Sequence, residues 1–476
     1  MCEPSRYSKN TFVNSARSWL PLFVALAILI QVLAQFLLST PQPLTHPLKK
    51  SLMSFLSEEC RGKERPLSPR LVSLANKIEE ENPTAANNFW HEISQKGTPL
   101  VEPIEGDPEN ALVTFLYPGD KDVNNVVVFI GNGLWGDIDS NRMVRLLESN
   151  IWYKTYAFRR DARFTYSLSV NDSLKSLRGM KDTVEWLERT AHWRADPLNP
   201  CRFPIYPRAV SVVELPGALP QPWNAKKPGV PKGSVTVHKV KSQILKNERT
   251  VWVYTPPDYG LDKQTYGMLI LFDGPAYKDW VPTPTILDNL IFEKRIPSLI
   301  AVLVSHPSPL VRNTELTCSE SFTRFLGEEL MLWIGQRYSV TSDPSRIVVG
   351  GSSYGGLGAA YAAFRYPQIF GNVLSQSGAF MFSPSEESEP EWLVRQFKAS
   401  SRLPVRLHID FGLMEDYPVD EDSPTIVEAN RHFYEVLRAK GYWVHYQEFN
   451  GGHEYINWRG TLADGLIALL GDKVEE

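Results

Sequence analysis

The sequence predicts two folded domains in series: an all-β sandwich, then an α/β domain with a mostly parallel sheet flanked by helices. Three observations carry this reading. Short alternating apolar runs, punctuated by Pro, Gly and Asp, occupy about residues 88–170. A proline-dense stretch follows from Asp196 to Trp223. From about Gly233, strand-like runs alternate with amphipathic helical ones, the pattern of a parallel sheet covered by helices. The 476-residue length also calls for more than one domain, at roughly 100–200 residues each.

The N-terminus carries a different signal. Arg6, Lys9 and Arg17 flank a nearly unbroken apolar run from Trp19 to Leu38, interrupted only by Gln31 and Gln35. About 20 apolar residues suffice to cross a bilayer, and Val32-Leu33-Ala34 has the small-residue pattern of a signal cleavage site. Residues 1–40 therefore read as a signal peptide or as an uncleaved membrane anchor through residues 19–38. In both cases the positive charge stays in the cytoplasm. The remainder is then expected to be exported, to the periplasm or the outer face of the inner membrane. Residues 41–85 read as a linker ending in a short helix from Pro69 to Glu81.

The sandwich is assigned to residues 86–195, with Ala111 to Tyr117 and Val126 to Ile130 as sample strands. Residues 196–232 read as a connector, because their prolines break helices and ladders. Residues 233–476 form the α/β domain. Its strand runs are Val251–Tyr254, Met268–Phe272, Leu299–Val304, Ile347–Val349, Val373–Leu374, Val405–Phe411 and Val444–Phe449, with amphipathic stretches at Ser321–Tyr338 and Pro424–Lys440.

Composition excludes several functions. The formal charge of −4 gives no basic field, so no nucleic-acid partner is expected. The four cysteines form no Cys-x-x-Cys pair, so neither a metal site nor a redox motif is expected. An oxidising compartment would permit a Cys60–Cys201 bridge.

The chemistry concentrates late in the chain. Gly351-Ser352-Ser353-Tyr354-Gly355 matches G-x-S-x-G, between the strand Ile347–Val349 and a small-residue helix from Gly355 to Phe364. That is the context of a nucleophile elbow, in which a sharp turn exposes the serine at a helix N-terminus. The pattern selects Ser353 as nucleophile, with the Tyr354 amide and the helix dipole facing the oxyanion. The order nucleophile, acid, base belongs to the α/β-hydrolase fold. It selects His453, in the glycine-rich loop after the last strand, as general base. Glu415 and Asp416, just past the strand ending at Phe411, both suit the acid that orients it; Asp410, inside the strand, suits it less. A second oxyanion donor is expected after Met268–Phe272, where Pro275 lacks an N–H and Gly274 or Ala276 remains.

The chain resembles the enterochelin (enterobactin) esterase family over roughly residues 88–470. The resemblance rests on Phe89-Trp90, Gly97 to Glu102, Asp161-Ala162-Arg163, Asp196 to Pro200, Glu214 to Ala218, Leu271 to Gly274, Glu315-Leu316, the elbow, Leu374 to Gly378, and Gly451-Gly452-His453 with Trp458-Arg459. It implies an immunoglobulin-like sandwich before an α/β hydrolase, with Ser353 and His453 as nucleophile and base. A Gly-x-x-Glu match at Gly412 to Glu415 favours Glu415 over Asp416. Arg312, Trp458 and Arg459 are implied substrate contacts, arginines being suited to an anionic catecholate. The implied function is hydrolysis of ester bonds in a catecholate siderophore, with no cofactor and with iron entering only as part of a ferric substrate. The export signal separates this chain from the family's cytosolic members. It keeps two alternatives open: an exported carboxylesterase or acyltransferase on feruloyl or acetyl esters, and a non-catalytic ligand-binding protein.

Overall fold

The computed structural model describes residues 67–131, 136–177, 183–205, 208–261, 264–416, 418 and 423–471. The expected signal or anchor, Cys60 and the linker up to residue 66 lie outside these residues. Among the described residues, no helix is long and apolar enough to cross a membrane.

The first helix, Pro69–Glu79, starts where Ser68 accepts from the Leu71 amide and proline fills the first turn. A second helix, Ala85–Lys96, follows. Together they bury Leu71, Leu74, Phe89 and Ile93 against Leu116, Ile151 and Tyr153. Phe89 and Trp90, read from sequence as part of the strand-rich region, are therefore helical.

Eight strands then build two antiparallel sheets: β1 (Leu100–Ile104), β2 (Asp107–Pro118), β3 (Val126–Ile130), β4 (Val144–Arg145), β5 (Ile151–Arg159), β6 (Arg163–Val170), β7 (Arg202–Ile205) and β8 (Arg208–Glu214). The orders are β1-β2-β5-β4 and β3-β6-β8-β7. Their inner faces share one core, with Val113 and Phe115 of β2 meeting Val128 and Ile130 of β3, Phe158 of β5, Phe164 of β6 and Val213 of β8. The sandwich thus extends to Glu214, which corrects the connector boundaries expected from sequence. The physical reason is local. β8 contains no proline, and Pro204 sits in β7, an edge strand paired only with β8.

The second domain is an eight-stranded sheet, formed by β9 (Ser234–Ser242), β10 (Asn247–Thr255), β11 (Gly267–Leu271), β12 (Leu299–Val304), β13 (Ile347–Ser352), β14 (Asn372–Gln376), β15 (Arg406–Gly412) and β16 (Trp443–Phe449). The order is β9-β10-β12-β11-β13-β14-β15-β16, with β10 antiparallel to both of its neighbours and the rest parallel. Successive side chains alternate between the two faces. Met268, Ile270 and Phe272 enter one core with the helices Tyr354–Arg365, Trp392–Ala399 and Ile426–Ala439. Leu269 and Leu271 enter the other with Thr283–Phe292 and Tyr455–Leu470. Burial on both faces explains why these strands read as continuous apolar runs.

Because β11, β13, β14, β15 and β16 are parallel, the loops after them share one edge of the sheet. That edge also meets the sandwich. The Arg163 amide donates to the Asn450 carbonyl at 2.9 Å, and the Asn450 side chain donates to both Asp161 carboxylate oxygens at 2.9 Å. Met414, from the loop after β15, is buried in the sandwich core itself.

Candidate active site

The elbow forms as its glycines require. Ser353 caps the helix Tyr354–Arg365 with φ 59° and ψ −124°, a backbone region that side chains disfavour. A Cβ on Gly351 would stand 2.9 Å from the Gly355 carbonyl carbon, so the strand and helix approach too closely for any other residue there. The Tyr354 amide occupies the first helical position, at the positive end of the dipole.

Glu415 is the carboxylate that meets His453. The imidazole Nδ1–H donates to Glu415 Oε2 at 2.7 Å, leaving Nε2 as the basic nitrogen. The other carboxylate oxygen accepts from Ser377 Oγ at 2.7 Å and from the Gly412 amide at 2.7 Å. Asp416 instead accepts from Thr425 Oγ1 at 3.3 Å, and Asp410 is buried against His408 Nε2 at 2.7 Å. Burial raises the Asp410 pKa, against the hydrogen bond from His408.

Ser353 and His453 open onto one cavity of about 490 Å³. Arg312 and Trp458 also line it. Arg312 is clamped by Asp273, with bonds of 2.5 and 2.7 Å to its two carboxylate oxygens. Burial opposes ionisation of Asp273, but the facing guanidinium outweighs it and holds the carboxyl below its ordinary range. Trp458 packs edge-on to His453, and its indole N–H donates to Ser377 Oγ at 2.9 Å. It therefore also supports the acid from behind.

The loop after β11 runs beside the elbow, since Leu271 pairs with Gly350 in register. Gly274 opens the helix Gly274–Asp279 there. The Ala276 amide is committed to the Asp273 carbonyl at 2.9 Å, which leaves Gly274 of the two donors expected from sequence. Arg459 does not line this cavity, contrary to the expectation of a substrate contact. It follows Trp458 on the helix Tyr455–Leu470, and one residue of helix rotates the side chain by about 100°. Its Nε donates to Gln221 at 2.7 Å, and its guanidinium lies 5.3 Å from the Phe203 ring centre, on a separate groove.

Two residues escaped the sequence reading. Ser377, bridging Trp458 to Glu415, lay inside a quoted motif without a role. Glu454, next to His453, is buried in the cavity wall, and both of its oxygens accept from the Thr165 amide of β6 at 3.0 and 2.9 Å, with Thr165 Oγ1 also bonded. Burial is the main force on this carboxyl; the Thr165 bonds oppose it, the Glu415 charge adds to it, and the pKa is raised to about 8. A carboxyl beside a loop histidine has no sequence pattern that would announce this.

The fold and the described geometry define an α/β-hydrolase-type esterase domain behind a second, all-β domain. Residues 112–224 match the family model "Enterochelin esterase, N-terminal", and residues 242–469 match "Putative esterase". The Iron(III) enterobactin esterase of Dickeya dadantii is 28% identical over 416 residues, 80% of this chain and 92% of that one. The Iron(III) salmochelin esterase of Escherichia coli is 25% identical over 424 residues, 84% of this chain and 98% of that one. The enterobactin esterase from Shigella flexneri, crystallised in the presence of enterobactin, superposes with a TM-score of 0.63 at 27% identity, covering 78% of this chain and 95% of that one. The chain belongs to the enterochelin esterase family.

Two outcomes follow from this geometry. A raised pKa means that the folded state holds the Glu454 proton more tightly than the unfolded chain. Its stabilising contribution is full below the ordinary carboxyl pKa of 4.5 and is lost as pH rises through about 8. Glu454→Gln, which keeps a donor and an acceptor for Thr165, is expected to flatten the fall in melting temperature between those pH values. An unchanged slope would remove Glu454 as its source. Gly452→Ala places a Cβ 2.6 Å from Gly131 Cα. Denaturant titration is expected to show a loss of about 1–3 kcal/mol, with a larger proportional loss of kcat than of stability at 25 °C.

Proposed function

We propose that the protein is an exported serine esterase that hydrolyses ester bonds of a catecholate siderophore of the enterobactin-like trilactone type, in iron acquisition. The observation that carries this is the shared cavity of Ser353 and His453, with His453 held on Glu415. In the proposed reaction, Ser353 Oγ attacks the ester carbonyl while His453 Nε2 takes its proton. The oxyanion faces the Tyr354 and Gly274 amides. His453 returns the proton to the departing alkoxide, then activates water to release the acyl group from Ser353. Glu415 stabilises the imidazolium without accepting its proton.

The substrate reading is supported by the relatives, whose names give enterobactin and salmochelin as their substrates. Arg312 and Trp458 are the proposed substrate contacts. We further take the sandwich to be immunoglobulin-like, because β1-β2-β5-β4 and β3-β6-β8 follow the strand orders ABED and CFG. Export rests on the basic flank and apolar run up to Leu38.

Ser353→Ala is expected to lower kcat on the trilactone by at least about 10⁴-fold, with an unchanged circular dichroism spectrum. Glu415→Gln is expected to cost about 10³–10⁴-fold, mainly in kcat. Product analysis of the iron-free and iron-loaded trilactone tests the substrate. An intact trilactone alongside turnover of feruloyl or acetyl esters would overturn it. In a fractionated cell, the full chain should appear outside the cytosol; cytosolic recovery would remove the export part alone.

A further inference from the structure

A line of alternating charges runs from the sheet to the cavity and ends on Arg312. It starts at Arg249 of β10, whose side chain is fully buried. Arg249 donates to both carboxylate oxygens of Glu315, at 2.6 and 3.0 Å. Glu315 Oε2 also accepts from His306 Nδ1 at 2.7 Å. The other imidazole nitrogen, Nε2, stands 4.0 Å from Asp273 Oδ1. Asp273 in turn clamps Arg312, which lines the cavity of Ser353 and His453. Phe322, on the helix Glu320–Arg324, packs beside the imidazole with ring centres 5.5 Å apart.

His306, just after β12, has no part in the reaction at Ser353. Its Nε2 is buried without a hydrogen-bond partner among the described residues. A neutral imidazole donating from Nδ1 to Glu315 would turn the Nε2 lone pair toward the Asp273 carboxylate. An imidazolium turns an N–H toward it instead. Both carboxyls are held below their ordinary range. Burial opposes this at each. Arg312 outweighs it at Asp273, with His306 adding to the effect, and the bonds from His306 and Arg249 outweigh it at Glu315. The imidazole thus lies between two negative charges. Its 4.0 Å approach to Asp273 is too long for a hydrogen bond and close enough for an ion pair. The two guanidiniums nearby, Arg249 and Arg312, are each engaged by one of these carboxylates.

We propose that His306 is a positioning residue that, as an imidazolium, shares the Asp273 carboxylate with Arg312 and so frees guanidinium charge for anionic esters in the cavity. One carboxylate facing one guanidinium cancels it. One carboxylate between two cations leaves net positive charge on the cavity side. The arrangement favours substrates that carry a negative charge beside the scissile ester over neutral ones of the same size. The inference rests on the reading of Arg312 as a substrate contact and deepens it, since it places the control of that contact behind the cavity wall.

The test compares KM for 4-nitrophenyl hemisuccinate and 4-nitrophenyl butyrate, whose acyl chains match in length and differ by one carboxylate. His306→Asn keeps a donor at the Nδ1 position for Glu315 and removes the group that faces Asp273. It is expected to raise KM for the hemisuccinate about fivefold to tenfold and for the butyrate by less than about twofold, the scale of coupling between contacting charged residues. His306→Gln, which places a neutral donor near the Nε2 position, should recover part of the loss. In the native chain, the ratio of hemisuccinate KM to butyrate KM should rise with pH as the imidazolium loses its proton. In His306→Asn the ratio should stay flat. Titration of His453 is common to both esters and cancels in the ratio. With Arg312→Gln already present, His306→Asn should leave the ratio unaltered, because the effect runs through the guanidinium. Equal KM changes on both esters would overturn the proposal. So would a native ratio independent of pH, an outcome that needs no variant to fold. A chain that hydrolyses neither ester would sink the esterase reading and still leave His306 open to measurement. Calorimetry of monomethyl succinate on the Ser353→Ala chain then decides: weaker binding with His306→Asn supports the proposal, and unaltered binding overturns it.

Discussion

The buried carboxylate of Glu415 is the constraint around which the site is organised. A charge taken out of water must be met by donors, or it neutralises or unfolds its surroundings. Glu415 is met by three: the His453 imidazole, the Ser377 hydroxyl and the Gly412 amide. Each comes from a different part of the sheet edge. Ser377 follows β14, Gly412 ends β15 and His453 follows β16. The carboxylate therefore ties three neighbouring strand ends together, and the fixed register of the parallel sheet decides where they meet.

That arrangement needs bracing, because a loop held only by its own strand is free to sample other positions. The sandwich supplies the brace. Met414 anchors the acid loop in the sandwich core, while Arg163, Asp161 and Thr165 bond the loop from Asn450 to Glu454. Gly452 packs on Gly131 at a distance that admits no side chain. The histidine thus sits between two domains, with its partner acid on one side and a strand of the sandwich close on the other. A second domain in this position stabilises the Glu415–His453 geometry whatever the substrate.

Much of this was legible in the sequence, for identifiable reasons. The central strands β11 to β15 are buried on both faces and appear as apolar runs. The elbow was readable because steric need fixes glycine at defined positions around Ser353. β9 went unread because it is an edge strand that leaves Val235 and Val237 exposed and so lacks a sharp apolar pattern. β7 was hidden by Pro204, which an edge strand can tolerate, and the proline-free β8 by the proline-dense stretch around it. The choice between Glu415 and Asp416 could not be made from spacing, since a loop's rotation decides which carboxylate points inward. Arg459 was misplaced for the same kind of reason, one residue of helix being enough to turn it into another groove. The cavity aromatics of the sandwich, scattered from Phe129 to Phe203, share no local pattern and are neighbours only after the second sheet forms.

The two domains also differ in what they can change without loss. The hydrolase side of the cavity is fixed by strain at Ser353, by the donors of Glu415 and by the Asp273 clamp on Arg312. Substitutions there meet backbone or charge, and charge errors in a buried site are severe. The sandwich side meets the cavity with rings packed on rings, where a change of shape costs contact area and leaves the polar frame intact. Its ties to the histidine loop include the Glu454–Thr165 bonds and those of Asn450 to Arg163 and Asp161. The rings of the sandwich side can therefore vary while the strand register and the carboxylate frame keep Ser353 and His453 in place.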